Sequence, residues 1–416
     1  MLDSIYAHTP IADLVTERAW VQAMLDVESA LATALASMDE IPSEPAGRIT
    51  AACEVDRYDI DALAGEAALH ATPVIGLVQA LREQLPESDR AYVHVGATSQ
   101  DIVDTALMLI AKRALIPLLA TSEAAAWTVF GLAQEHRHTP MIARTLLRQA
   151  LPITFGLRAA IWLDGIDSAR ARLRTVQETG LAVQMGGAVG GRAPALGTRV
   201  ALELGLADPV IGWSATRVRT AELASALGVL AGVLGKIARD VTLLAQDEIG
   251  EVSEGGAGGG SSSMAHKHNP VAAISTLACT RRVPGLVATV LAGMETEHER
   301  AAGAWQAEWG TLADLLTLTG SAANWTQTLV RGLRIDTVRM AENLRAAVTG
   351  DQPPPAGIDE LIDRALAAHI SPGVQAGGFT TARPADPAPG PRRTGAAPGA
   401  EAGGRVRGTS VRRAET

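Results

Sequence analysis

Seven aliphatic residues, Leu223, Leu227, Leu230, Leu234, Ile237, Val241 and Leu244, recur at alternating steps of four and three. That spacing puts them on one stripe of a helix, with the repeat of a coiled-coil seam. Gly228, Gly232 and Gly235 lie within the same stretch. A glycine inside a helix is unfavourable by ~1 kcal/mol, so these positions are expected to pack closely against a neighbouring backbone. A helix over 216–252 would be ~55 Å long at ~1.5 Å per residue, a length that suits a bundle shared between subunits. Composition agrees with an all-α chain. Hydrophobic residues make up 47% of the 416, but aromatics only 3%. The apolar content is therefore Ala, Leu and Val, which suits packed helices better than a β sandwich.

The rest of the chain divides around this seam. Residues 1–97 read as a small N-terminal helical domain, in which Trp20, Met24, Val27, Leu31 and Leu35 form one helical face. Residues 98–350 read as a central bundle of long helices. The first is expected from Thr98 to about His136, the second from Pro152 to about Thr179, and a fourth from Pro270 with a kink at Pro284. After Gly350 the character changes. Residues 351–375 read as a short helical remnant, with an amphipathic helix over 358–369. Residues 376–416 are rich in Pro, Gly, Ala, Thr and Arg and contain no Leu, Ile or Lys. Such a segment buries too little apolar surface to fold alone and is expected to be disordered.

A net charge of −9 disfavours a nucleic-acid partner. Cys53 and Cys279 are the two cysteines, which fits a reducing cytoplasm rather than a disulfide scaffold. The first residues lack the basic and apolar regions of a signal peptide. Apolar stretches such as 221–235 end in Lys236, Arg239 and Asp240, so they read as buried bundle helices and not as membrane spans.

Three segments can carry chemistry. Residues 255–270 read GGAGGGSSSMAHKHNP. A Gly/Ser run alone is more often a flexible linker. Here Met264, Lys267 and the pair Asn269-Pro270, a good cap followed by a good first helical residue, stand at fixed offsets behind it. The loop 253–269 then reads as a mobile lid that brings hydroxyls and an ammonium to a helix N-terminus. The second segment runs from His94 through Thr98 and Ser99 to Asp101. Its hydroxyls at a helix start suit a carboxylate ligand, although a plain N-cap also accounts for them. Gln184 opens a Gly-rich turn, 184–190, which serves equally as an interhelical loop. Arg217 and Arg219 are candidate carboxylate clamps because the guanidinium fork matches a carboxylate. His266 and His268 lack a third partner at a metal-ligand spacing, so no metal is expected.

The loop sequence GSSSMAHKHNP at 260–270 resembles GSSxMPxKxNP, the signature of the fumarase/aspartase superfamily. Members add or eliminate a group beta to a carboxylate. Ala265 replaces the usual proline, and His268 stands where several subfamilies carry Arg. HVGATSQD at 94–101 resembles a segment shared by the adenylosuccinate lyase and 3-carboxy-cis,cis-muconate cycloisomerase families, and the HER and WQAEW strings within 297–309 resemble the cycloisomerase family. In the segment 144–152, the resemblance puts Thr145 near the substrate and Gln149 where many members carry a protonating His. An amide is no useful acid near neutral pH. Ile274 likewise stands in place of a partner Glu. Both features point away from amine-expelling enzymes such as adenylosuccinate lyase.

The resemblance implies a fumarase/aspartase-like fold: a long central helix bundle, a small N-terminal helical domain and a shortened or atypical C-terminal region. It implies lactonisation of a tricarboxylate diene without a cofactor or metal. Ser261 would transfer the proton, and Lys267 and Asn269 would hold the carboxylate that gains charge. His94, Thr98, Ser99, Thr145, Gln149, Gln184, Arg217 and Arg219 would surround the substrate. If helices alternate in direction, Thr98 lies ~50 Å from Thr145 and Ser261. The implied answer is a cytoplasmic homotetramer with composite active sites, and with no nucleic-acid or membrane partner. Two alternatives stay open: another carboxylate lyase of the superfamily, or an inactive structural or oligomer-partner protein.

Overall fold

Long helices dominate the computed structural model, which describes residues 2–371 apart from 257, 265, 349 and 351. The expected disordered tail, 376–416, lies outside the described residues, as does the end of the 351–375 remnant. Ahead of the bundle come a single-turn helix α1 (Ile11–Leu14), α2 (Glu17–Ser37), α3 (Ser43–Ala52), α4 (Ile60–His70) and α5 (Val74–Glu83). The bundle is built from α6 (Ser99–Glu135), α7 (Phe155–Thr175), α9 (Val218–Leu244), α10 (Val271–Ala292) and α11 (Ala304–Gly332), with α8 (Pro194–Leu204) set between α7 and α9 in sequence. α12 (Thr337–Ala347) and α13 (Ile358–Ile370) follow. The described residues belong to one compact unit, and α2 packs on both α6 and α8.

Helix α9 carries the seam, and all seven of its aliphatic residues are buried. A Cβ on Gly228 would stand 3.0 Å from Val287 Cγ2, and one on Gly235 would stand 2.9 Å from Thr280 Oγ1. Those two glycines therefore admit α10, as the sequence suggests. Gly232 faces open space. α9 is long and apolar enough to cross a bilayer by length and composition, but it packs against α7, α10 and α11. It ends at Leu244, short of the expected 252, because Val252–Glu254 is drawn into strand β3, which pairs antiparallel with β4 (Leu333–Ile335). β3 and β4 take those numbers because a hairpin precedes them in the chain.

That hairpin is the main departure from the all-helical expectation. Residues Pro140–Thr145 (β1) and Arg148–Thr154 (β2) form an antiparallel pair. Leu146 and Leu147 make its two-residue turn at φ 48° and 65°, the conformation such turns require. Both leucines are exposed. Helix α7 consequently starts at Phe155 rather than Pro152. Thr154 caps it by accepting the Leu157 N–H at 3.2 Å.

Two apolar clusters fill the molecule. One joins α2, α3 and α5 to the N-terminal half of α6 and to α9 through Leu223, Leu227 and Leu230. The other joins the C-terminal half of α6 to α7, α13 and the far end of α9, through Ile237, Val241 and Leu244. The bundle thus has two chemically separate ends, and the site motifs divide between them.

Candidate active site

The first cluster sits at the N-terminus of α6. Asp101 is completely buried. Its Oδ2 accepts the backbone N–H of Thr98 at 3.0 Å and of Gly187 at 2.9 Å. Its Oδ1 accepts from Gly186 N at 2.9 Å and Gln184 Nε2 at 3.0 Å. Burial pushes this carboxyl above its ordinary value, against hydrogen bonds that favour the anion. One aspartate therefore both closes the helix start and fastens the Gly-rich turn. Gly96, at φ +72°, permits the approach: a Cβ there would lie 1.9 Å from Arg192 Nη1.

Two expected substrate contacts, Gln184 and Arg217, have their partners within the fold. Gln184 is fully buried. Its amide oxygen accepts the Trp213 N–H at 2.5 Å while its nitrogen holds Asp101. Both ends of the amide are spent within the fold. Arg217 is 1% exposed. It donates to Asp104 at 2.7 and 3.0 Å and to Glu308 at 3.0 and 2.6 Å. Trp305 Nε1 donates to the same Asp104 at 2.9 Å. Burial would favour a neutral Arg217, but Asp104 and Glu308 outweigh it, raising its pKa and holding the guanidinium charged. The fork clamps carboxylates, as its chemistry suggests, but they belong to the protein. Arg219 is partly exposed and donates to the Thr179 and Gly180 carbonyls at 3.2 and 2.7 Å.

The remaining candidates at this end, His94, Thr98 and Ser99, are partly exposed. Arg300 donates to Thr98 Oγ1 at 2.8 Å and to the carbonyls of Gly187 and Ala188. It therefore orients the threonine hydroxyl, a role that the motif around it does not announce. No hydrogen bond engages the Ser99 hydroxyl among the described residues. His94 Nδ1 lies 2.5 Å from Glu28 Oε1, which leaves Nε2 on the ring's far edge.

The signature loop lies at the opposite end. Ser261 Oγ accepts the backbone N–H groups of Ser263 at 3.3 Å and Met264 at 3.1 Å. Two N–H groups aimed at one hydroxyl oxygen stabilise negative charge on it. The Lys267 N–H bonds to Met264 O at 3.1 Å, and its side chain is exposed. Asn269 does not cap α10. Its amide nitrogen and backbone N–H both donate to Gly259 O, at 3.1 and 2.8 Å. The cap is Glu254, whose carboxylate accepts from Ala272 N at 2.8 and 3.1 Å and from Ala273 N at 3.3 Å. The loop is thus pinned at two rungs, Glu254 to α10 and Gly259 to Asn269, with Ser261 through His268 beyond them.

Thr145 and Gln149 project from the hairpin at this same end. Arg144 beside them forms a bidentate pair with buried Glu251 at 2.9 and 2.8 Å, which fixes the hairpin to the stem of the loop. Arg144 pairs with Gln149 across the strands and Thr145 with Arg148, so Thr145 and Gln149 face opposite sides. Helix α6, at 37 residues, separates the two ends by ~55 Å. Within one chain Ser261 does not meet Thr98 or His94. Among the described residues no three of His, Cys, Asp and Glu converge on a possible cation position.

A long-helix bundle with a Gly/Ser signature loop at one end and a capped, hydroxyl-bearing helix start at the other defines a lyase architecture. The chain belongs to the lyase family of the fumarase/aspartase superfamily, whose family model matches residues 5–285. It is 45% identical over 342 residues to a 3-carboxy-cis,cis-muconate cycloisomerase of Bradyrhizobium diazoefficiens, covering 79% of this chain and 76% of that one. It is 38% identical over 391 residues to a nitrosuccinate lyase of Streptomyces davaonensis, covering 89% and 80%. The crystal structure of the 3-carboxy-cis,cis-muconate lactonizing enzyme from Pseudomonas putida matches with a TM-score of 0.82 at 33% identity, covering 88% of this chain and 98% of that chain.

Proposed function

We propose that this chain is an intramolecular lyase that lactonises 3-carboxy-cis,cis-muconate, as in protocatechuate breakdown. The observation that carries the reading is the 45% identity to a cycloisomerase of that name. In the forward direction a substrate carboxylate oxygen forms a C–O bond to the far carbon of a double bond. The π electrons move to the adjacent carbon, where the neighbouring carboxylate takes them up as an aci-carboxylate. A proton from Ser261 Oγ then closes the step at that carbon. The substrate trianion thereby takes up one proton and becomes a lactone dianion, no other atom is gained or lost, and the serine recovers its proton from solvent. The reverse step needs a serine oxyanion. The two N–H groups at Ser261 Oγ support that role by lowering the cost of its charge. Lys267, with its exposed ammonium, is assigned to the aci-carboxylate. Asn269 is assigned to the loop stem, and through it to the placing of Lys267. Thr98, Ser99 and His94 are assigned to a distal carboxylate. Thr145 and Gln149 are assigned to positions beside the loop.

The separation of the two clusters supports a homotetramer in which antiparallel copies bring unlike bundle ends together. Two buried free cysteines support a cytoplasmic setting. The acidic net charge supports neither a nucleic-acid nor a membrane-surface partner. Ultraviolet absorbance tests the reaction directly: purified protein is expected to bleach the diene band of carboxymuconate. The second reading, favoured by the likeness to nitrosuccinate lyase, is an anion-expelling carboxylate lyase. Turnover of nitrosuccinate with an unchanged diene band would select it. Adenylosuccinate turnover is disfavoured because Gln149 and Ile274 supply no acid. Silence with all three substrates would select an inactive oligomer partner.

A further inference from the structure

We propose that Glu28, a buried carboxylate on α2, is the positioning residue that turns His94 into a cationic carboxylate-binding group. This rests on the reading that the N-terminal end of α6 receives a substrate carboxylate. Glu28 is 1% exposed and sits on a helix whose neighbouring buried positions are Met24, Val27 and Leu31. An ionised carboxylate in such surroundings is costly unless paired. Among the described residues its hydrogen-bonding partner is His94 Nδ1, at 2.5 Å.

The geometry fixes the imidazole at both its backbone and its ring. His94 has φ +65°, a left-handed conformation that costs a non-glycine residue ~1 kcal/mol. The chain turns there into Gly96, which delivers Thr98 to the start of α6. With Nδ1–H donated to Glu28, Nε2 lies on the opposite edge of a side chain that is 16% exposed. The charged groups around it come from three helices: Glu28 on α2, Asp101 on α6 and Arg82 on α5. Burial and Arg82 favour the neutral ring. The Glu28 hydrogen bond and charge, with Asp101, outweigh them and leave the pKa raised. A ring that also carries its Nε2 proton would offer a carboxylate both a donor and a charge. Thr98 Oγ1, held by Arg300, and the open Ser99 hydroxyl complete a carboxylate cradle at the helix start. A purely structural tie between α2 and the 94–98 segment would need neither the charge nor the free ring edge.

The test uses the full chain with Glu28→Gln, which keeps the shape and a hydrogen bond but removes the charge, and with His94→Gln. Histidine-selective NMR reads the His94 titration directly, the resonance being identified by its loss in His94→Gln. Glu28→Gln is expected to lower its midpoint by ~1 pH unit or more. Calorimetry with tricarballylate, an unreactive tricarboxylate, reads the consequence. Wild-type affinity should fall as pH rises through the His94 titration. Glu28→Gln should bind ~10-fold more weakly at pH 7, and the gap should close as pH falls through the variant's own His94 titration. The double variant should bind no more weakly than His94→Gln alone. An unmoved His94 titration, or a loss of binding that is equal at every pH, overturns the inference. The NMR titration does not depend on turnover. An intact carboxymuconate diene band with wild-type protein would therefore remove the cycloisomerase reading without deciding the Glu28 one.

Discussion

Replacing Arg217 with alanine separates a structural arginine from a substrate clamp. In the wild type its guanidinium holds Asp104 and Glu308, 0% and 2% exposed, in four hydrogen bonds of 2.6–3.0 Å. The variant strands two neighbouring carboxylates in the core. Removing one partner from a buried ion pair costs about 3–5 kcal/mol. With an unfolding entropy of ~2.1 cal/mol/K per residue over about 370 ordered residues, that loss lowers Tm by ~4–6 °C. The deficit has a distinctive pH dependence. Burial, together with the neighbouring Asp104 charge, raises the Glu308 carboxyl, and without Arg217 the main group opposing that rise is gone. The full penalty is therefore present above the folded Glu308 value and is relieved as pH falls through it and the carboxyl takes up a proton. Thermal melts of Arg217→Ala at pH 8 and pH 5.5, each beside wild type, should show the larger gap at pH 8. Carboxymuconate kinetics complete the assay. A variant that melts like wild type at both pH values while KM rises tenfold or more would refute the structural reading and restore Arg217 as a clamp.

Three further outcomes follow from the site. Ser261→Ala should lower kcat by at least ~10²-fold with a modest change in KM, while Ser262→Ala and Ser263→Ala stay milder; a near wild-type kcat in Ser261→Ala removes the serine from the proton step. Gln149→His should bring no gain in kcat and no new titration near pH ~6.5, since the reaction proposed expels no amine; faster turnover with such a titration would show that an acid is wanted at that position. Burial pushes the Cys279 thiol up to about 11, so native protein at pH 8 should resist a thiol reagent such as dithionitrobenzoate until it is unfolded; rapid labelling of Cys279 in the folded enzyme would contradict its packing.

What the sequence reveals of the fold follows the range of the forces involved. Helical periodicity is local, so the α9 seam, the α2 face and the start of α6 at Ser99 all read correctly from spacing. The hairpin at 140–154 does not, because its turn is made by Leu146 and Leu147 at positive φ and carries no Gly, Asn or Asp to announce it. The early end of α9 depends on β3 meeting β4, some eighty residues further along the chain, a pairing with no local trace. The fifth bundle helix, α11, was within reach of spacing: Leu312, Leu315, Leu316, Thr319 and Ala323 are all buried along it.

For the site, spacing identifies the segments but not which side chains remain free. Gln184 and Arg217 look like ligand-binding groups because they are polar and sit in loop-to-helix motifs. Gln184 is held by Asp101, 83 residues away, and Arg217 by Asp104 and Glu308, 113 and 91 residues away, and only the folded chain shows that these side chains are already engaged. Residues not singled out as site candidates take over the work of placement: Arg300, within the HER string, holds Thr98, Glu254, at the stem of the loop, caps α10 in place of Asn269, and Glu28, outside every motif, holds His94. Glu28 did leave a signal. It stands four residues after Met24 and three before Leu31, on the apolar face of α2, where a carboxylate is unfavourable without a partner. A charge written into a hydrophobic stripe asks where its counter-charge is. In this chain the answer is the one histidine in the segment that leads into α6.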